Sequence, residues 1–526
     1  MFDVAIIGSG FGGSLLGCIA RRLGRTVVML EKGRHPRFVI GESSTPLADL
    51  LWLDLTRRYG LERLVPFAKW GTWRATYPEV ACGLKRGFSF YHHVLGRPFE
   101  NRSDRGDQLL VAASARDEIA DTHWYRPEFD HFVVREAERL GVDYREAHEV
   151  VGVEFPSSGD GASLRVRNEG GDAEIRARFV VDASQHRGPL VRSLGLEDRP
   201  LPHFPRTEAL YTHFRGVKRL GDLPLHAGME GAPFPVDDAA VHHVFEGGWI
   251  WVLRFGNGIT SAGVAATVDV AREFRFEEGA AAWERLMGRL PTVAQQFSDA
   301  TPAHPFVHAR GVAFRTGPAA GDGWALLPSA AGFVDPMLSS GFTLTLLGIE
   351  RLARAMESAW GEPAAFARSM EGHARATSAE LLGLEEFVSA LYARLGDFAA
   401  FTEIARLYFC AVIWAETARR LGRSEAEGGF LGKDHPELGT EARAICEAAR
   451  RGLDADGLRR RVDAVLGRFD LGGLGDPARR PWYPVLLADL RAGRGCMAAT
   501  EDAWLAVERA LAGPLREDGV GRMMTS

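Results

Sequence analysis

Apolar positions change rhythm several times along this chain. After Asp3 they run together as VAII, break at a glycine-rich turn, GSGFGG, resume at helical spacing through LLGCIARRLG, and run together again as VVML before Glu31. Short continuous apolar runs on either side of an amphipathic one predict a buried strand, a helix and a second buried strand. A helix-like segment, Leu47 to Tyr59, follows a polar loop. The run YRPEFDHFVVREAERLG predicts another helix, with Phe129, Phe132, Val133 and Ala137 on one face and Gly141 as its stop. EVVGVEF, SLRVRNE and EIRARFVVDAS predict a three-stranded meander, bounded by the loop SSGDGA and the turn GGD. From Pro200 to Thr301, four strand-like runs (ALYTHFRGV, AAVHHVFEG, WIWVLRF, TSAGVAAT) and a helical piece, Phe276 to Arg289, predict a sheet with a helix on it. WALLPSAAGFVDPMLSSGFTLTLLGIERLARAM predicts a strand, a turn and a helix that starts near Ser340 and Gly341. Beyond Ala364 the pattern is almost wholly helical, broken near Gly428 to Gly439 and Gly472 to Trp482.

The first turn suggests a chemistry. Gly8 permits a sharp exit from the strand, Gly10 lets backbone N–H groups approach a pyrophosphate, and Gly13 lets the helix pack closely on the strand. Glu31 closes the second strand, where a carboxylate accepts hydrogen bonds from ribose hydroxyls and repels a 2′-phosphate. That favours FAD or NAD over NADP.

Composition narrows the picture. At 526 residues, two or three structural regions are expected. The net charge is −6 and the basic residues are dispersed, so nucleic acid is not an expected partner. The five cysteines lie far apart without zinc or redox spacing, and no metal is expected. A cytoplasmic location is expected, with no signal peptide and no apolar run of the roughly 18 residues that a membrane span needs.

Four phrases stand in one order: GSGFGG, GESSTP, VVDAS and GFVDPMLSSG. Together they resemble the FAD-dependent monooxygenase superfamily with the p-hydroxybenzoate hydroxylase fold and, within it, the flavin-dependent halogenases, over roughly residues 1 to 350. The resemblance implies an α/β fold: a Rossmann-type FAD-binding domain (1–199, completed by 302–355), an inserted mixed or antiparallel-sheet substrate domain (200–301) and a helical C-terminal region (356–526). It implies FAD contacts at Gly8, Gly10, Phe11, Gly12, Gly13, Glu31, Lys32, Gly41, Glu42, Ser43, Ser44, Arg126, Asp182, Ser329, Gly332 and Asp335. GESSTP is similar to the halogenase flavin loop.

Lys85 in KRGFSF is similar to the family's K-x-G-x-x-F phrase around its catalytic lysine, which holds hypohalous acid or forms a haloamine beside the substrate. A solvated surface lysine is the alternative, and Lys69 in AKWGTW is a rival. Ser340 and Gly341 match the pair whose backbone N–H groups bind chloride or bromide. Trp249 and Trp251 resemble half of the W-x-W-x-I-P signature, with Leu253 and Arg254 in its last two places. Ordinary core packing explains the tryptophan pair equally well. His92 and His93, with His242 and His243, either converge on the substrate cavity or are satisfied core histidines. The aromatic stretch Trp70 to Phe99 either lines that cavity or packs the core.

Three positions depart from the family pattern. Leu338 stands where tryptophan-type halogenases carry a glutamate, which points away from free tryptophan and towards a self-activating phenol, pyrrole or indole-like ring. Ser329 replaces the usual ribityl-binding aspartate, and Gln185 the glycine after D-A-S. The expected function is a two-component halogenase that takes FADH2 from a separate flavin reductase and halogenates an aromatic substrate, free or tethered to a carrier protein. The alternatives are an FAD-dependent hydroxylase, a prenyl-chain flavin reductase, or a catalytically silent flavoprotein scaffold.

Overall fold

The computed structural model describes residues 1–156, 161–184, 187–223, 229 and 231–512. The loop after Pro156 and Gln185 lie outside the described residues.

The opening pattern forms the strand Phe2–Ile7, the helix Phe11–Arg22 and the strand Val27–Glu31. Phe2–Ile7 pairs in parallel with Val27–Glu31 on one side and Gly171–Asp182 on the other, and the sheet continues to Trp324–Leu326. Parallel central strands buried on both faces explain the unbroken apolar runs. The meander forms as expected, Glu149–Glu154 pairing with Ala162–Asn168 and that strand with Gly171–Asp182.

A second sheet, of nine strands among the described residues, holds all four strand-like runs from Pro200 to Thr301. It extends well beyond that segment. Gly87–His92 pairs in parallel with Ala240–Phe245 and antiparallel to Gln108–Ala112, and Trp482–Tyr483 from the tail closes the edge beside Gln108–Ala112. The sheet is thus assembled from three distant parts of the chain, where the sequence pattern suggested one insertion. Apolar side chains on one face pack under the helices between Val268 and Gln296; those on the other join the core shared with the nucleotide-binding sheet and the tail.

The C-terminal region is helical as expected, led by Pro363–Tyr392 and Phe398–Arg420. Phe398–Arg420 is long and apolar enough by length and composition to cross a membrane, which the sequence reading did not anticipate; its most apolar window is 78% buried inside the protein. Its apolar character is accounted for by packing against Ala455–Phe469, the flavin-loop helix Pro46–Arg58 and the second sheet.

Candidate active site

The turn between the first strand and helix is built so that only glycine is tolerated. Gly8 has φ of 100°, and a Cβ on Gly13 would lie 2.1 Å from the Gly8 carbonyl oxygen. Glu31 braces this turn from beneath, accepting from Ser9 N (3.1 Å), Ser9 Oγ (3.1 Å) and Gly33 N (2.9 Å). Burial alone would raise its pKa, but Arg37 and these donors outweigh burial and hold it below the ordinary value. Lys32 beside it is exposed. Arg126 has its fork taken by Asp130 (Nε to Oδ1 2.7 Å, NH2 to Oδ2 2.8 Å) and donates NH1 to the Gly41 carbonyl at 2.9 Å. It lies over the Phe11 ring, and its NH2 faces Gly10. Gly10, Phe11, Gly41 and Arg126 are therefore brought together, and the glycine turn and helix N-terminus fit a dinucleotide pyrophosphate, with the Arg126 fork spent on Asp130.

Other expected cofactor residues are committed elsewhere. Asp182 accepts from Ser184 N, Ser184 Oγ and Leu190 N, which spends its carboxylate on the turn after its own strand. Asp335 is buried and accepts from Met337 N (3.0 Å) and the Tyr392 hydroxyl (2.7 Å), tying this loop to the tail; burial pushes its pKa up to about 7. Gly332 lies against Leu381 of the tail, which leaves no room for a side chain, and Ser329 is exposed on a short helix.

The GESSTP loop is stitched on as an added strand. Trp124 N donates to the Glu42 carbonyl (2.6 Å), Ser44 N to the Thr122 carbonyl (3.0 Å) and Thr122 N to Ser44 Oγ (3.1 Å), while Ser43 bridges to His123. Glu42 and His213, both buried, meet at 2.7 Å. Thr45 Oγ1 lies 3.0 Å from Thr343 Oγ1, which joins the loop to the helix Gly341–Ser358. Ser340 caps that helix, so the first N–H groups beyond it have no intrahelical acceptor and suit an anion.

Lys85 ends the strand Cys82–Lys85 and is wholly buried. Its Nζ donates to the Ser44 carbonyl and sits 3.9 Å from the centre of the Phe88 ring. Burial pushes its pKa down to about 7, against the opposing pull of Asp121 and Asp49. The surface-lysine alternative is thereby removed. Lys69 instead makes ion pairs with Asp49 (3.4 Å) and Asp121 (3.2 Å).

Phe88 also lines an apolar cavity of about 90 Å³. Thr45 and Pro46 of the flavin loop, Phe88 and Val111 of the second sheet, Tyr408, Phe409, Val412 and Glu416 of Phe398–Arg420, and Leu471, Tyr483, Leu490 and Leu511 of the tail surround it. The expected cavity residues are not among them. Trp249 donates to Tyr392 Oη (3.1 Å) and Trp251 to Ser261 Oγ (3.3 Å). His93 Nε2 meets His243 Nδ1 at 2.9 Å, and His243 Nε2 meets Gln296 Oε1 at 3.0 Å, a chain inside the second sheet's own core. His92 stacks on Phe398, and His242 lies against Phe90 with Nδ1 on the Ser89 carbonyl. These histidines are satisfied in the core. Leu338 is buried, its carbonyl accepting from the Tyr408 hydroxyl at 3.3 Å. The tail walls escaped sequence reading because helical periodicity shows which face is apolar, not what it faces. His203, Glu385 and Glu386 also meet across distant segments, but Glu385 accepts from the His203 backbone and Glu386 pairs with Arg450.

Residues 122–394 match the family described as tryptophan halogenase. The chain belongs to that family. It is accordingly a flavin-dependent enzyme that uses FAD and halide. It is 27% identical over 502 residues, 89% of this chain and 85% of the relative, to monodechloroaminopyrrolnitrin halogenase PrnC of Pseudomonas fluorescens. It is 30% identical over 378 residues to tetracycline 7-halogenase of Kitasatospora aureofaciens, covering 69% of this chain and 64% of that protein. Among solved structures, halogenase PltM in complex with phloroglucinol and FAD shares the fold at a TM-score of 0.81, with 24% identity over 92% of this chain and 99% of that one.

Proposed function

We propose that this protein is a two-component halogenase of a small, electron-rich aromatic ring of the phenol, pyrrole or indole type. The observation that carries this reading is the position of Lys85, buried with its Nζ on the flavin-loop carbonyl of Ser44 and against Phe88, a wall of the apolar cavity. Gly8 to Gly13, Gly41 and Arg126 would hold FAD, and the helix N-terminus at Ser340 and Gly341 would hold chloride or bromide beside it. Reduced FAD, supplied by a separate flavin reductase, provides with O2 the two-electron oxidation of halide to hypohalous acid. Lys85 receives that acid at its amine and presents electrophilic halogen at the Phe88 end of the cavity. The apolar walls disfavour water, which would otherwise intercept it.

The size of the cavity supports a single-ring substrate. An apolar cavity of about 150 Å³ takes benzene; at about 90 Å³, this one admits a single ring after modest side-chain adjustment. Leu338 leaves no carboxylate at the place where the tryptophan-type enzymes have one, which favours a ring that activates itself. Phloroglucinol is the ring in the PltM complex, and PrnC is named for an aminopyrrolnitrin precursor.

Incubation of the protein with FAD, a flavin reductase, NADH, bromide and a panel of phenols, pyrroles and indole tests this reading. The expected product shows the bromine isotope doublet by mass spectrometry. Oxygen incorporation without bromine would overturn the reading in favour of a hydroxylase.

A further inference from the structure

We propose that Glu416 anchors the substrate by accepting a hydrogen bond from a ring-borne O–H or N–H, so that the substrate is an otherwise apolar aromatic with at least one such donor. The inference rests on the halogenase reading and names its substrate class.

Glu416 lies one turn beyond Val412 and Ile413 on the same face of Phe398–Arg420, and among the described residues lining the cavity it alone carries a formal charge. Its side chain is 11% exposed. The carboxylate is half used: Arg420 donates Nε (2.9 Å) and NH2 (2.8 Å) to Oε1, while Oε2 has no partner among the described residues. Arg420 therefore fixes the carboxylate and leaves one oxygen open. A ring that brings a donor to this oxygen gains a hydrogen bond to a charged acceptor, which a ring without one cannot make. The other polar groups are neutral, including the Tyr483 hydroxyl, which is buried without a hydrogen-bond partner among the described residues. Thr45 Oγ1 is committed to Thr343 Oγ1 and Ala48 N, Tyr408 donates to the Leu338 carbonyl, and the Thr417 hydroxyl is a neutral acceptor. Hydrogen bonds to a charged acceptor are about twice as strong as neutral ones. Phe88, on whose ring the Lys85 amine lies, borders the same cavity as Glu416.

The test uses two rings of the same skeleton, resorcinol and 1,3-dimethoxybenzene, with the full-length FAD-loaded protein. Calorimetric binding should favour resorcinol at least tenfold in wild type, because a hydrogen bond to a charged group is worth about 1.5–3 kcal/mol. Glu416→Leu should bring the two rings within about threefold of each other, and Glu416→Gln should fall between, with flavin content retained in both. Equal affinity of the two rings in wild type would overturn the proposal, and needs no variant to fold. An equal loss for both rings in Glu416→Leu would do the same, assigning the residue to packing. Bromide oxidation, followed separately with monochlorodimedone as trap, reports on the halogenase reading: its absence would sink that reading while a resorcinol preference still upheld the anchor.

Discussion

Asp121 is the cross-strand partner of Lys85, yet its carboxylate turns to Lys69 at 3.2 Å and leaves the Lys85 ammonium to the Ser44 carbonyl and the Phe88 ring. Opposed positions on an antiparallel pair put side chains on the same face within about 5.5 Å, where opposite charges ordinarily meet. Here the second lysine, with Asp49, takes the charge pairing, and among the described residues Lys85 makes no ion pair. Lys85 is thus held in a polar neighbourhood without being neutralised by contact, which keeps its amine available.

Lys85→Met should abolish ring halogenation while flavin content and bromide oxidation persist; retained ring halogenation would refute the assigned role. The substitution should also reveal the burial of the amine in a pH series. Because the folded pKa of about 7 lies below the lysine's ordinary 10.5, the unfolded chain holds an extra proton between these values. Wild-type stability relative to Lys85→Met should therefore be flat below pH 7 and rise above it, by at most about 1.4 kcal/mol per pH unit. Urea melts of both proteins at pH 6, 7.5 and 9 measure this.

Lys69→Met removes the cation shared by the buried acids Asp49 and Asp121 and should cost about 3 kcal/mol at pH 8. Asp49→Asn should be far milder, about 1 kcal/mol or less. Burial first, and the Asp121 carboxyl beside it, outweigh the pull of Lys69 and raise the Asp49 pKa well above its ordinary 3.8, so the fold disfavours its ionised form. With the folded pKa above the unfolded one, its contribution to stability falls as pH rises past 3.8, and Asp49→Asn should flatten the pH dependence on that side. Equal costs for the two variants would contradict this division of roles.

Much of this arrangement was legible in the chain. The parallel sheet, the meander and the four strands after Pro200 follow from apolar rhythm, whereas the roles read for Lys85, GESSTP and Ser340 rest on the family resemblance. What was not legible lies across long separations. Trp249 and Trp251 share a face by alternation, but only the folded chain shows that Tyr392 and Asp335 meet the first of them. The pattern of Phe398–Arg420 marks an apolar stripe, and nothing local says that this stripe lines a cavity together with Phe88, hundreds of residues earlier. The carboxylate missing at Leu338 was visible in the sequence. The one at Glu416, contributed by another element, was not.

Gly13→Ala and Gly17→Ala should separate sharply although both lie in the helix Phe11–Arg22. A Cβ at position 13 falls 2.1 Å from the Gly8 carbonyl, so the turn must open and flavin retention should be lost. At position 17 the nearest atoms, on Ile6 and Val142, are 3.5 Å away, and alanine should be neutral or stabilising by up to about 1 kcal/mol from helix propensity. The yellow flavin absorbance after gel filtration and the melting temperature measure both. A flavin-loaded Gly13→Ala would show that the close helix–strand approach is not required.

Val412→Trp tests whether the cavity walled by the tail is the place where halogen meets substrate. Val412 is half-buried and borders a space of about 90 Å³, between Phe409 and Glu416 on the helix Phe398–Arg420. An indole there fills the space without touching the glycine turn, Arg126, Ser340 or Lys85. Bromide oxidation and flavin content should therefore match wild type, and the melting temperature should move by only a few degrees, as for a tolerated overpacking of about 1 kcal/mol. Ring bromination should fall at least a hundredfold, seen as a rise in KM before a loss of kcat, because the reagent still forms but has no ring beside it. The reverse change, Val412→Ala, should admit larger rings with little cost to smaller ones. Undiminished bromination by Val412→Trp would place the substrate elsewhere and take with it the roles assigned to Phe88 and the tail.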